Sequence, residues 1–196
     1  LISPDVIARM SSKNGQTAAA ITDHGTMGGV LKFQNACRQY GVKPIFGIEA
    51  YFVPDVNNDD MDDRSERFHL ILLAKNNEGL TKLFKATKIA WADNFYYKPR
   101  IDFSLLSSLV DNDVVALSGC RGSAIAKALE NGDESRAAEL SEKFIDIFKD
   151  DFYFEIQPWN PKKINDGIID LAQSYNKKVV GTADCHYPTK EDAGCE

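Results

Sequence analysis

Six short apolar runs alternate with stretches of helical pattern, and this alternation fixes what the 196-residue chain can fold into. The runs are Ala18 to Thr22, Pro44 to Phe52, His69 to Ala74, Val114 to Ser118, Phe152 to Ile156 and Lys178 to Ala183. Several are apolar on consecutive positions, the pattern of parallel strands covered on both faces. The stretches between them predict six helices: Pro4 to Ser12, Gly28 to Tyr40, Glu78 to Trp91, Ser123 to Asn131, Asp133 to Asp150 and Lys163 to Tyr175. Ser3 is placed to cap the first, with Pro4 in its first turn, and Gly41 and Gly132 to close two others. Strand then helix, repeated, is the signature of an α/β fold, either a barrel or an open doubly wound sheet.

Composition narrows the function classes. No apolar run approaches the roughly 20 residues of a membrane-spanning helix. The start has neither the basic head nor the apolar stretch of a signal peptide, and it lacks Met, so an internal fragment is expected. The four cysteines, Cys37, Cys120, Cys185 and Cys195, form no CxxC pair, and reduced thiols in a cytoplasm are expected. The net charge of −6 argues against a broad electrostatic grip on nucleic acid by this chain alone. Asp59, Asp60, Asp62 and Asp63 crowd the stretch from Asp55 to Glu66. That stretch reads as a solvated loop, because its acids lack the ligand spacing and glycine turn of a calcium loop.

The ends of the runs are not apolar. The first ends in Asp23-His24-Gly25, the second carries Glu49, the fourth ends in Ser118-Gly119-Cys120 and the sixth in Asp184-Cys185-His186. In α/β folds the carboxyl ends of strands carry the active site, so these groups should meet on one face. The third histidine, His69, opens its run, and the same rule would put it at the opposite end. A histidine at a strand end is commonly a surface residue, and a cysteine after Ser-Gly a buried small hydrophobe. Here, however, all three histidines and three other ligand types fall on or beside strand runs. Imidazole and thiolate suit zinc, and carboxylates also take manganese or magnesium. Six such groups exceed one zinc site and fit a cluster of two or three metals of the kind that hydrolyses phosphoesters. Cys37 and Cys195 have no such placement and read as structural. No GxSxG elbow, P-loop or GxGxxG is present.

Several stretches together resemble a known family. They are Ala20-Ile21-Thr22-Asp23-His24-Gly25, Gly41 to Tyr51, His69 to Asn76, Phe95-Tyr96-Tyr97-Lys98-Pro99-Arg100-Ile101-Asp102, Leu117 to Cys120, Phe154 to Gln157 and Ala183 to Tyr187. The sequence resembles the PHP (polymerase and histidinol phosphatase) domain, in the form found at the N-terminus of the α subunit of bacterial replicative DNA polymerase III. The resemblance spans nearly the whole chain. It implies a single domain over 1–196, within a much longer polymerase chain. It also implies a seven-stranded α/β barrel whose first strand, bearing a His-x-His pair, lies before the chain begins.

By position it implies His24, Glu49, His69, Cys120, Asp184 and His186 as ligands to as many as three divalent metals, zinc or manganese and magnesium. His24, Asp184 and His186 would be catalytic, and Lys98 and Arg100 could contact phosphate. The implied activity is 3′-5′ exonuclease proofreading on a primer end, or a structural role, within a DNA-directed DNA polymerase whose polymerase aspartates lie in a later domain. Implied partners are DNA, a separate exonuclease subunit and a sliding clamp, with no membrane. Two other readings stay open: a stand-alone phosphoesterase of the histidinol-phosphatase type, and a non-catalytic scaffold for an exonuclease subunit.

Overall fold

The computed structural model describes residues 2–57, 67–109, 111–189 and 191–192. The acids Asp59, Asp60, Asp62, Asp63 and Glu66, and also Cys195, lie outside the described residues.

Local sequence sets most of the elements. Helix α1 (Pro4–Lys13) starts where the Ser3 hydroxyl accepts a hydrogen bond from the Val6 amide. Strand β1 (Ala18–Ile21) leads to α2 (Val30–Tyr40), which begins two residues later than the pattern predicts. Gly28 and Gly29 have the lowest helix propensity short of proline, and Gly29 serves as the cap. Gly41, at φ 68, ends α2 in the left-handed conformation. Strands β2 (Lys43–Phe52) and β3 (Phe68–Ala74) precede α3 (Asn77–Ala92), whose cap is Asn76. Next come β4 (Phe95–Tyr96), β5 (Lys98–Ile101) and α4 (Phe103–Leu109), none of them foreseen as an element. The buried Asp102 carboxylate starts α4 by accepting a hydrogen bond from the Leu105 amide at 2.8 Å. Strand β6 (Val114–Leu117), α5 (Ala124–Glu130), α6 (Glu134–Phe148), a 3-10 turn at Lys149–Asp151, β7 (Phe152–Ile156), α7 (Lys162–Ser174) and β8 (Val179–Gly181) complete the described elements. None of the described helices is long and apolar enough to cross a membrane.

The strands form one sheet in the order β4-β5-β2-β3-β6-β7-β8. The long β2 strand offers one edge first to β1, parallel over Lys43 to Phe46, and then to β5 at Tyr51 and Phe52. The expectation of parallel strands is corrected at β3. It runs antiparallel to both neighbours, pairing Tyr51 with His69 on one side and Leu117 with Ile71 on the other. Burial on both faces produces the same continuous apolar run in either direction, so the run alone could not reveal the reversal.

The sheet is strongly curled. Laid flat, β1 and β8 would be five strand spacings apart, roughly 24 Å. Yet His24, just after β1, and His186, soon after β8, have ring centroids 5.8 Å apart. The α/β barrel-type architecture expected from the sequence is thus present as a half-barrel of eight described strands. Phe52, Phe144, Phe152 and Phe154 pack into the main core, and Ala8, Phe33 and Cys37 make a second cluster with α1 and α2. Cys37 is fully buried, in keeping with a structural role.

Candidate metal centre

The reversal of β3 decides the position of His69. Because β3 is antiparallel, its first residues lie beside the carboxyl ends of β2 and β6. His69 therefore joins the other two histidines at the same end of the sheet, where the simple strand-end rule would not have put it.

Glu49 is the hub. Its Oε1 lies 2.6 Å from His69 Nδ1, 3.4 Å from His24 Nε2 and 3.9 Å from Cys120 Sγ. One ligand atom from each of His24, Glu49 and His69 lies within 4.8 Å of the other two. Their positions follow from main-chain pairing. Beyond β1 the backbone stays in register with β2, the Glu49 amide donating to Asp23 O and the Gly25 amide to Glu49 O. Across the sheet, the His69 amide donates to Gly122 O, and the Gly122 amide donates to Cys120 Sγ at 3.3 Å. The loop after β6 is thereby tied to the start of β3, with Cys120 Sγ 3.4 Å from His69 Nδ1.

His186 and Asp184 arrive from beyond β8. The His186 Nδ1 lies 2.9 Å from Asp184 O, so Nδ1 donates to that carbonyl and Nε2 is the ring nitrogen left to face other groups. Asp184 sits at φ 44, a left-handed conformation that costs a non-glycine residue of order 1 kcal/mol. Its carboxylate also lies 3.6 Å from His186 Nδ1.

Charge in the site is unevenly held. Burial raises the pKa of the Glu49 carboxyl, but hydrogen bonds from His24 and His69 outweigh it, and the group ends at about 2. His24 is raised above its ordinary value, chiefly by the hydrogen bond to Glu49. Burial pushes the Cys120 thiol up to about 12, partly countered by the Gly122 amide. Asp184 is raised by burial first and by the charge of Glu49 second. Glu49 is 6% exposed and His24 39%, so the pocket has a buried acidic floor and an open rim.

Lys98 and Arg100 differ in placement. Lys98 Nζ stands 5.3 Å over the ring of Tyr51, which itself stacks beside His24 with centroids 6.1 Å apart. Arg100 points its Nε at Asn94 O, with its guanidinium over Tyr96, and so is engaged by the β4–β5 hairpin.

One acidic residue near the site escaped the sequence reading. Glu155 on β7 is buried, its Oε1 takes hydrogen bonds from Gln157 and Thr182, and its Oε2 has no partner. Burial raises its pKa, with smaller contributions from Glu49 and Asp184. The available signal was a glutamate interrupting an apolar strand run, the same signal that singled out Glu49.

Comparison with known proteins gives a consistent set of relatives. Residues 1–158 match the PHP domain family, a span that ends before Asp184 and His186. The DNA polymerase III subunit alpha of Aquifex aeolicus is 36% identical over 198 residues, covering 96% of this chain and 17% of the relative. The subunits of the same name from Campylobacter jejuni and Deinococcus radiodurans are 35% and 36% identical, each over 95% of this chain but only 16% and 14% of their own length. The chain therefore spans a small fraction of the length of these relatives. Among solved structures, a candidate metal-dependent phosphoesterase from Bifidobacterium adolescentis superposes with a TM-score of 0.61 at 15% identity, covering 97% of this chain and 84% of the other. An amidohydrolase from Chromobacterium violaceum, with bound sulfate and no metal, gives a TM-score of 0.62 at 11% identity, with the same two coverages. At such identities the likeness concerns the fold.

Proposed function

We propose that this chain, which belongs to the PHP domain family, is the PHP domain of a replicative DNA polymerase III α subunit and carries a divalent-metal site that hydrolyses phosphodiesters at a DNA 3′ end. The likeness to polymerase subunits across 95–96% of the chain supports the first part. The observation that carries the second is the convergence of His24 and His69 on one buried oxygen, Glu49 Oε1.

The donor set fits a metal. Two imidazoles and a carboxylate with mutually close ligand atoms, beside a thiol, suit zinc and also admit manganese. His24, Glu49, His69, Cys120, Asp184 and His186 would hold the ions. When bound, divalent ions supply Lewis acidity toward a phosphoryl oxygen and lower the pKa of water. The chain's own groups prepare for this. Glu49 is already ionised and needs no proton removed. Cys120 must release its proton to ligate. The Asp184 carbonyl fixes the His186 tautomer so that Nε2 is the basic nitrogen. Lys98, beside Tyr51 at the rim, offers a cation to a phosphate. In this setting the partners are primer DNA, an exonuclease subunit and a sliding clamp, and the compartment is the cytoplasm.

The test is removal of the primer 3′ nucleotide by the full-length protein. His186→Ala is expected to cut the rate at least 100-fold, by order of magnitude, and chelator to do the same to the wild type. Equal rates for variant and wild type would remove the hydrolytic reading. A second prediction separates ligand types. Cys120→Ser should weaken zinc binding more than manganese binding, because thiolate is the softer ligand. Equal losses in competition titrations with the two metals would argue that Cys120 does not ligate.

A further inference from the structure

Large apolar side chains are exposed at nine described positions, and five of these fall between Phe84 and Tyr97: Phe84, Trp91, Phe95, Tyr96 and Tyr97. Their arrangement follows from the elements that carry them. On α3 the inward positions are Leu83, Ala86 and Ala90, which turns Phe84, Lys85, Lys88 and Trp91 together onto the solvent face. Trp91 closes that stripe and stacks on Phe95, with centroids 5.4 Å apart and ring planes 23° from parallel. The hairpin between β4 and β5 then presents Tyr96 and Tyr97, with Arg100 over the Tyr96 ring. Tyr97 sits at φ 57, a conformation unfavourable for a bulky residue, and the residue is 59% exposed.

The face combines two chemistries. Between Leu83 and Arg100 there are four cations, Lys85, Lys88, Lys98 and Arg100, against a single acid, Asp93, in a chain whose net charge is −6. Lysine is depleted from protein–protein interfaces, where apolar area dominates the buried centre. Aromatic rings interleaved with cations are instead what a flexible single strand needs, because any base stacks on a ring and each phosphate meets a positive charge. The face also runs into the candidate metal centre. Trp91 Nε1 donates to Gly25 O at 2.8 Å, beside His24, and Lys98 covers Tyr51, whose ring stacks next to His24.

We propose that the exposed face of α3 and the β4–β5 hairpin form a track for single-stranded nucleic acid, with bases on Trp91, Phe95 and Tyr96 and phosphates on Lys85, Lys88 and Lys98. The inference rests on the hydrolytic reading above and adds to it the path by which a strand reaches the site.

The test is photocrosslinking of a short oligothymidylate bearing 5-iodouracil to the full-length protein in chelator, with adducts mapped by mass spectrometry. Adducts are expected within residues 84–98, competed by unlabelled oligothymidylate. Lys85→Ala with Lys88→Ala, two exposed changes away from the metal-site residues, should lower the adduct yield there about tenfold at limiting probe. Adducts confined to other segments would overturn the track. So would failure of hydroxyl-radical footprinting to label the side chains of Trp91, Phe95 and Tyr96 in the strand-free protein, which would mean a protein surface covers the face. The two readings fail separately. Crosslinking at 84–98 without 3′-end removal in the presence of metal sinks the hydrolytic reading and leaves the track. Removal without crosslinking sinks the track alone.

Discussion

Glu49→Gln is expected to lower the affinity of the protein for its first divalent ion by at least about 100-fold, since loss of even a residue that only supports a ligand costs 10–100-fold. Glu49 is the group on which His24 and His69 converge, and their hydrogen bonds hold its carboxyl pKa at about 2. Glutamine keeps the shape and the buried oxygen but removes the charge that offsets a cation in a poorly solvated floor. Metal content after dialysis, measured on the folded variant, checks this, and wild-type content would refute a ligand role. The same substitution has a signature with metal removed. A carboxyl lowered from 4.5 to about 2 stabilises the folded chain above pH 4.5, and that contribution, about 3 kcal/mol, is lost as pH falls through about 2. His24 acts with the opposite sign: its pKa is raised, so its contribution is complete below pH 6.5 and is lost as pH rises past its folded value. Glu49→Gln should flatten both limbs of the stability curve in chelator. Limbs as steep as the wild type's would show that the Glu49–histidine contacts do not stabilise the fold.

The strand and helix order was legible because it depends on local pattern. Phe152–Ile156 was bounded to the residue, and Ser3, Asn76, Ser123 and Asp133 all cap their helices with side-chain oxygens. The pieces that escaped are short. A two-residue β4, a β5 containing Pro99 and a seven-residue α4 give too few positions for any period to show. Strand direction escaped for a different reason: it is set by how the chain returns across the sheet, which leaves no mark on a strand run as uniformly apolar as Leu70–Ala74. That one missing fact made His69 look misplaced. The strand-end rule grouped His24, Glu49, Cys120, Asp184 and His186 alike, and the curl of the whole sheet is the physical means by which the ring of His186, beyond β8, comes within 5.8 Å of that of His24. Glu155 was equally visible as a charge in an apolar run, one residue from its end, because it sits in Phe152–Ile156 as Glu49 sits in β2.

Gly119→Ala is expected to be the most damaging small substitution near the site, because Gly119 answers two demands at once. It stands at φ 94, where an L side chain is strained, and a Cβ there would lie 2.4 Å from the carbonyl oxygen of His69 and 3.0 Å from Ser123 Cβ. The carbonyl belongs to the backbone at the start of β3 and cannot rotate away. The loop after β6 would have to lift off β3, breaking the His69 amide hydrogen bond to Gly122 O and parting Cys120 from His69. The left-handed strain costs about 1–2 kcal/mol. Forcing the close contact apart adds roughly 1–3 kcal/mol. For a chain of this size the sum, about 2–5 kcal/mol, lowers the melting temperature by roughly 4–20 °C. Gly132→Ala isolates the first cost, since Gly132 is also left-handed, at φ 75, but has nothing within 4 Å of its Cβ position. The two variants should therefore differ in melting temperature, and only Gly119→Ala should lose zinc on dialysis. Equal destabilisation with zinc retained in both would mean that the approach of the 119–122 loop to β3 does not hold Cys120 and His69 together, and that the pocket is assembled by other contacts.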